Sequence, residues 1–380
     1  MPTSLTREGW ESWLYDQLFH AYLDARKNKR GTEDEHKFEI NAIENIRILV
    51  HDILDREYHP SPGIAFIVLY PVVREVFAAP FRDRVVHHFI YNMVAWWWDT
   101  RFIEDSYSCR PGKGTLCGVK RLDHHMRSVS NDYHDEAYII KLDVTGYFMS
   151  LTHDLLYERA LWGLERQFVN GGELFRILRY LWYEIIYDDP TDNVKLVSPI
   201  EHWDLVPASK CIGCQKPGKG IVIGNLTSQL LSNIFMDQAD RFIKYHLGYN
   251  HYGRYVDDFY IAVPAYQYMQ AKRDVSVVES YLEENLQLRL HPNKRLYRRV
   301  DQGIPFLGTV VYPHKLYPDE RFRNNFKAAM WKYQRGGASY EQIASFVGHM
   351  THLDGDAFIS SLFMESGMEF QPPIIRRLEQ

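Results

Sequence analysis

Cysteine is scarce, at four in 380 residues. That is too few for a disulfide framework, so free thiols in a reducing cytoplasm are expected. No stretch of 18 or more residues is free of charge, so none reads as a membrane span. The opening MPTSLTREGWESW lacks the apolar core of a secretory signal and predicts a cytoplasmic protein. Internal repeats and low-complexity tracts are missing. Overall positive charge is missing too: 44 basic against 49 acidic residues give a net charge of −5, whereas nucleic-acid binders are usually basic. What is present is apolar material, 46% hydrophobic and 14% aromatic, enough for roughly two or three lobes. The charge is also uneven. Between Arg289 and Arg335 eleven Lys or Arg face three acids, a local excess of eight positive charges. That is an electrostatic footprint at one end, and the acidic remainder suits a protein that borrows positive surface from a partner.

Apolar spacing (Trp10, Trp13, Leu14, Leu18, Tyr22) predicts helices over 5–55, broken at KNKRGTEDEH. HPSPG (59–63) ends that region, and IAFIVLY (64–70) and VREVFAA (73–79) read as a hairpin. A helix over 81–100 carries Trp96, Trp97 and Trp98, expected in the core rather than stacked on bases. YIIKLDV (138–144) reads as a buried strand and 151–164 as a helix. Residues 187–220 read as a long loop or insertion, and 227–248 as a helix capped by Gly248. Strands at 251–255 and 259–263, a helix over 266–286, a hairpin at 303–317 and further helices complete the chain.

The chemistry sits in the carboxylates. Asp257 and Asp258 lie between two strand-like runs, which places them at a tight turn where Asp tolerates unusual backbone angles. Alone, the pair reads equally well as turn formers. Asp143 adds weight, because it ends a strand that otherwise wants apolar residues and needs a cation or donors to offset desolvation. If the two strands are neighbours, three carboxylates converge as hard oxygen ligands suited to Mg²⁺. Two such ions can activate an attacking 3′-hydroxyl and stabilise leaving pyrophosphate. Asp143 and Asp257 are the expected bridging pair, with Asp258 in support.

Tyr255-Val256-Asp257-Asp258 resembles the catalytic signature of reverse transcriptases, and KLDVTGYFMS (141–150) resembles their first palm motif. PGKGIVIGNLTSQLLSNIF (217–235) resembles the second, in the IGNLTSQ form of the reverse transcriptases of bacterial and phage diversity-generating retroelements. FRDRVVHH (81–88), DSYSCRPGKGT (105–115), HPNKR (291–295) and QGIPFLG (302–308) also look like that family. The resemblance covers about 65–350. It implies an α+β right-hand fold: a helical region (1–58), fingers (59–135), a palm with an antiparallel sheet (136–300, with the insertion at 187–220), and a primer-grip hairpin with a helical thumb (301–380). It implies RNA-directed DNA synthesis with two Mg²⁺ ions (Mn²⁺ as the alternative), copying a template-repeat RNA into adenine-mutagenised cDNA from dNTPs. It also implies a small basic accessory variability protein as partner and no membrane. The rivals are another bacterial reverse transcriptase (defence-associated or intron-type, the latter disfavoured by no evident maturase region after residue 350), or a nucleic-acid-binding scaffold with a vestigial site.

Further roles follow from the resemblance, each beside a plainer reading. Phe148 matches the aromatic that rejects a ribose 2′-hydroxyl, and otherwise packs the core. Arg74 and Arg84 match basic fingers positions for the triphosphate. The Lys expected just before Arg74 is absent from LYPVV (69–73), which leaves more to Arg74. Ile223 stands where accurate enzymes carry Gln, so a polar check on the nascent pair is lost. Gly224, Asn225, Ser228 and Gln229 open a helix whose N–H groups can meet phosphate, or are simply capped by Asn225 or Thr227. Lys294 could protonate pyrophosphate or sit in a solvated turn. Tyr255 and the Phe306-Leu307-Gly308 run match primer and template contacts, the latter otherwise a core strand. Cys211 and Cys214 form a lone CxxC, either an unpaired loop motif or half of a zinc site that His202 could join.

Overall fold

The structure, a computed structural model, describes residues 5–27, 31–69, 72–337 and 339–366. Tyr70 and Pro71 of LYPVV, part of the KNKR turn and residues 367–380 of the expected thumb lie outside them. Three helices open the chain: α1 (Arg7–Ala25), α2 (Glu33–Ile40) and α3 (Ala42–Asp55). Thr6 and Thr32 cap the first two, each hydroxyl accepting an N–H three residues on, from Gly9 and Glu35. Strands β1 (Ile64–Val68) and β2 (Arg74–Ala78) form the expected antiparallel hairpin, followed by α4 (Phe81–Asp99). Helical spacing buries Trp97 and Trp98 but turns Trp96 outward, 55% exposed.

The chain continues through α5 (Thr115–Val129), β3 (Ala137–Asp143), the single turn α6 (Tyr147–Ser150), α7 (His153–Gln167) and α8 (Glu173–Tyr187). The loop expected at 187–220 contains β4 (Lys195–Leu196), which pairs parallel with β1, α9 (Ile200–Trp203) and two single 3-10 turns. Cys211 and Cys214 are joined there in a disulfide, while Cys109 and Cys117 are free. The expectation of free thiols throughout is corrected at this pair, and thiols so joined are not zinc ligands. Next come α10 (Leu226–Arg241), β5 (Tyr252–Tyr255), β6 (Asp258–Pro264), α11 (Ala265–Leu286) and β7 (Leu296–Arg299). A π-turn, Phe242–His246, extends α10 toward Gly248, which takes φ +80°. The hairpin expected at 303–317 is three strands, β8 (Ile304–Phe306), β9 (Thr309–Tyr312) and β10 (Lys315–Pro318). Helices α12 (Glu320–Gln334), α13 (Tyr340–Met350) and α14 (Asp356–Ser366) follow, around a small core that includes Phe326, Met330, Ile343 and Val347.

The fold is thus mixed α and β with antiparallel sheets. At its centre lies a four-stranded antiparallel sheet in the order β5-β6-β3-β7. The period of two along β6 sends Phe259, Ile261 and Val263 into the main core with α10 and α11. Tyr260 and Ala262 face a second core with Val119, Leu122 and Met126 of α5 and with Phe306. A sheet covered on both faces explains why 138–144 and 259–263 read as nearly continuous apolar runs. Among the described residues no helix is long and apolar enough to cross a membrane.

Helix α10 is buried almost all round and takes polar groups into the interior. Asp237, 6% exposed, pairs with Arg241 (2.8 Å), but its Oδ1 has no hydrogen-bond partner. Burial, opposed by Arg241, pushes its carboxyl up to about 6. With the folded value above the ordinary one, the stability this group lends is complete below about 4 and lost as pH rises through about 6. Asp237→Asn should therefore be near neutral at acid pH and stabilising by about 1 kcal/mol at pH 8. Urea denaturation at the two pH values checks this.

Candidate active site

Antiparallel pairing of β3 with β6 sets Asp143 directly opposite Asp258, and the ladder runs one step further, Val144 N–H donating to the Asp257 carbonyl (3.1 Å). Strand β5 pairs Tyr255 with Asp258, so Val256 and Asp257 alone make the turn. Three carboxylates from distant parts of the sequence therefore meet at one sheet edge. The residue with unusual backbone angles is not an aspartate, as expected, but Val256, at φ +57°. A β-branched side chain there costs on the order of 1–3 kcal/mol and persists only where the surroundings over-determine it.

Those surroundings are buried polar groups. Arg254, fully buried, donates through Nη1 to the Val256 carbonyl (3.0 Å), and Ser108 Oγ accepts the Val256 N–H (3.2 Å). The guanidinium forks onto Asp240 of α10, Nε to Oδ1 and Nη2 to Oδ2, both at 2.7 Å. Nη2 also donates to Ser106 Oγ (3.1 Å), and Tyr252 Oη donates to Asp240 Oδ1 (2.6 Å). Asn233 links the same network to Ser108, accepting from its hydroxyl at 3.1 Å. The turn is thereby tied to α10 and to the SYS segment at 106–108. Sequence reasoning missed this role, although a cation inside an apolar strand run was its signal.

Each flanking carboxylate has a lysine. Lys294 Nζ donates to both Asp143 oxygens (2.9 and 3.0 Å) from a side chain that is itself 57% exposed, so it stands beside the carboxylates and in solvent at once. Lys141, also missed, pairs with Asp258 Oδ2 (2.9 Å), while Asp258 Oδ1 is buried without a hydrogen-bond partner. Burial is the main cause that pushes Asp258 up to about 6, against the pull of Lys141. Asp257 is raised by burial and then by the Asp143 charge, opposed by Lys294 and Arg74. In this arrangement no group of three or more His, Cys, Asp or Glu among the described residues forms a ready metal cage. The donor chemistry nevertheless fits a divalent ion: oxygen ligands only, mutually repelling, one of them orphaned.

The remaining candidates are distributed over several elements, and Arg74 is one whose charge acts at the carboxylates. Arg74 opens β2, exposed, close enough to act on Asp257. Phe148, half-buried on α6, lends its carbonyl to the Ile221 N–H (2.9 Å), while its neighbour Tyr147 points into the core and donates to the Ser232 carbonyl (2.6 Å). The Ile223 carbonyl accepts from Phe77 of β2 (3.1 Å), and Gly224 presses on that strand. A Cβ on Gly224 would stand 2.2 Å from the Phe77 carbonyl oxygen, and its φ of +135° also requires glycine. Asn225 stands at the N-cap of α10 but makes no side-chain cap bond, and Thr227 instead bonds buried His87 (2.8 Å), so neither caps the helix as considered. Asn225 and Ser228 line a cavity with Asp83 and His87, and Gln229 is exposed. Other candidates stand elsewhere. Arg84 Nε donates to the Ala79 carbonyl (2.9 Å). Tyr255 and Phe306 pack in the second core, with Leu307 (φ +52°) and Gly308 (φ +82°) as the β8–β9 turn, a geometry typical of tight hairpins.

No protein-family model and no curated protein matches the chain. Solved structures of similar backbone include telomerase from Candida tropicalis in complex with the TWJ fragment of telomeric RNA (TM-score 0.49, 11% identity, 82% of this chain and 56% of that one). They also include telomerase from Candida albicans in complex with the same fragment (0.46, 12%, 83% and 57%) and apo telomerase from Candida tropicalis (0.48, 10%, 81% and 58%). This chain spans little more than half the length of those chains. Likenesses at this level decide neither its activity nor its partners.

Removing Arg254 tests the turn. Arg254→Ala leaves Asp240 buried and unpaired and should cost about 3–5 kcal/mol, read by urea denaturation. Ser108→Ala removes both the acceptor for the Val256 N–H and the hydroxyl donor to Asn233 Oδ1, and should cost about 1–3 kcal/mol.

Proposed function

We propose that the protein is an RNA-directed DNA polymerase that transfers nucleotides with two divalent ions. The observation that carries this reading is the register that brings Asp143, Asp257 and Asp258 to one sheet edge. In this reading the four-stranded sheet is the palm, the β1–β2 hairpin belongs to the fingers, and β8–β10 with the helices after them are primer grip and thumb. Asp143 and Asp257 would hold two Mg²⁺ ions, or Mn²⁺, with Asp258 in support. Such ions, when bound, lower the pKa of the primer 3′-hydroxyl and neutralise charge on the leaving pyrophosphate. The chain's own residues do the rest. Arg74 takes triphosphate charge, Phe148 crowds the sugar 2′ position, and Lys294, freed from Asp143, offers a proton to pyrophosphate.

The IGNLTSQ form of the second motif supports the finer assignment, a diversity-generating retroelement enzyme working in the cytoplasm on a template-repeat RNA. The acidic balance of −5 supports a basic accessory partner. Ile223 offers shape but no hydrogen bond to the nascent pair, which suits error-prone copying.

Asp257→Ala should abolish primer extension on an RNA template while leaving RNA affinity within about twofold. Mg²⁺ should raise the Tm of the wild type but not of Asp143→Ala/Asp257→Ala, since ions that bind only the folded state stabilise it. Retained extension by Asp257→Ala would reject the assignment. Ile223→Gln should cut misincorporation at template adenines about tenfold, read by sequencing products; an unchanged spectrum would reject that role.

A further inference from the structure

The segment 187–220 has no part in the function above, yet it reaches the turn that follows Asp143 and the strand that carries Arg74. The Ser209 carbonyl lies over Gly146, where an added Cβ would stand 3.2 Å from that oxygen. Gly146 sits between Asp143 and Phe148 in the chain. On the other side of Lys210, the Ile212 N–H donates to Glu75 Oε2 (2.7 Å), and Glu75, 6% exposed, directly follows Arg74. Lys210 is thus bracketed between the turn that leaves β3 and the strand that carries Arg74.

Its backbone is pinned. Lys210 N–H donates to the Pro207 carbonyl (2.8 Å), and Gln215 Nε2 donates to the carbonyls of Ala208 (2.8 Å) and Cys211 (2.7 Å). The Cys211–Cys214 disulfide closes the same turn. The side chain, by contrast, is without a counter-ion. Among the described residues Lys210, Arg74 and Arg321 form no ion pair, and burial followed by the charges of Arg74, Lys294 and Arg321 lowers the Lys210 pKa. Lys294 is paired with Asp143, but gathering the other three beside it costs free energy unless an anion joins them.

We infer that Lys210 is a phosphate-binding residue of this site, taking with Arg74 the polyphosphate of a nucleoside triphosphate. The identity of the anion rests on the polymerase reading; the need for a polyanion does not. The segment 187–220 is then a working part of the site, delivering a cation that the hairpin lacks where LYPVV replaces the expected Lys.

The full-length wild type, Lys210→Ala, Lys210→Arg and a surface control, Lys37→Ala, would be titrated calorimetrically with dTTP and with inorganic tripolyphosphate. KM for dTTP and kcat would be measured in primer extension. Lys210→Ala should weaken both ligands and raise KM about tenfold or more, with kcat and RNA affinity unchanged, recovery in Lys210→Arg and no effect in Lys37→Ala. Binding of both ligands within about twofold of wild type would overturn the inference, as would a loss of RNA affinity with dTTP binding intact. A wild type that extends no primer but binds tripolyphosphate through Lys210 would reject the polymerase reading and uphold the phosphate site.

Discussion

Arg254 and Asp240 form an ion pair in which both side chains are fully buried. Two charges taken out of water are held only because nearly every donor and acceptor is used: the fork between them, the Tyr252 hydroxyl, Ser106 and the Val256 carbonyl. Breaking one partner strands the other. This pair couples three segments far apart in sequence: residues 106–108, helix α10 and the β5–β6 turn. A β-branched residue at positive φ is a local liability, and the network holds it there through the Val256 carbonyl and N–H. The aim of Asp257 thus depends on a cation that never reaches solvent.

Desolvation follows from the same packing. A sheet covered on both faces places the carboxylates at the end of a dry interior, where burial raises Asp257 and Asp258 and mutual repulsion adds to the effect. Lys141 and Lys294 offset part of that cost. A second group of cations, Arg74, Lys210 and Arg321, stands near by with no ion pair among the described residues. Negative charge is thus concentrated on the sheet edge and positive charge beside it, a separation that the proposed polymerase reading uses for a polyanion and its counter-cations. The net charge of −5 conceals this separation because it averages over the whole chain.

Much was legible wherever periodicity and chemistry coincide. The strand at 137–143, the β1–β2 hairpin, the strands around the aspartate pair and the long helix after IGNLTSQ all stand close to where apolar spacing placed them. Less was legible where short segments depend on distant partners. Residues 303–317 read as one hairpin because strands of three or four residues carry too little pattern to separate. The loop at 187–220 read as structureless because β4 is two residues long and exists only through β1. The cysteines read as free because pairing is set by backbone approach, not by spacing.

By itself the sequence determined that an aspartate ends a buried strand and that two more sit between strands, since such residues in such runs demand a chemical reason. It also determined the amphipathic and apolar runs from which the layers are built. Tertiary structure decided the register that sets Asp143 opposite Asp258, the buried guanidinium that holds the turn, and the seat of Lys210 between two elements. Apart from the bond between Arg254 and nearby Val256, those outcomes depend on contacts between residues 14 to 148 positions apart. A linear pattern carries no information about such contacts until closure and packing select one pairing among many.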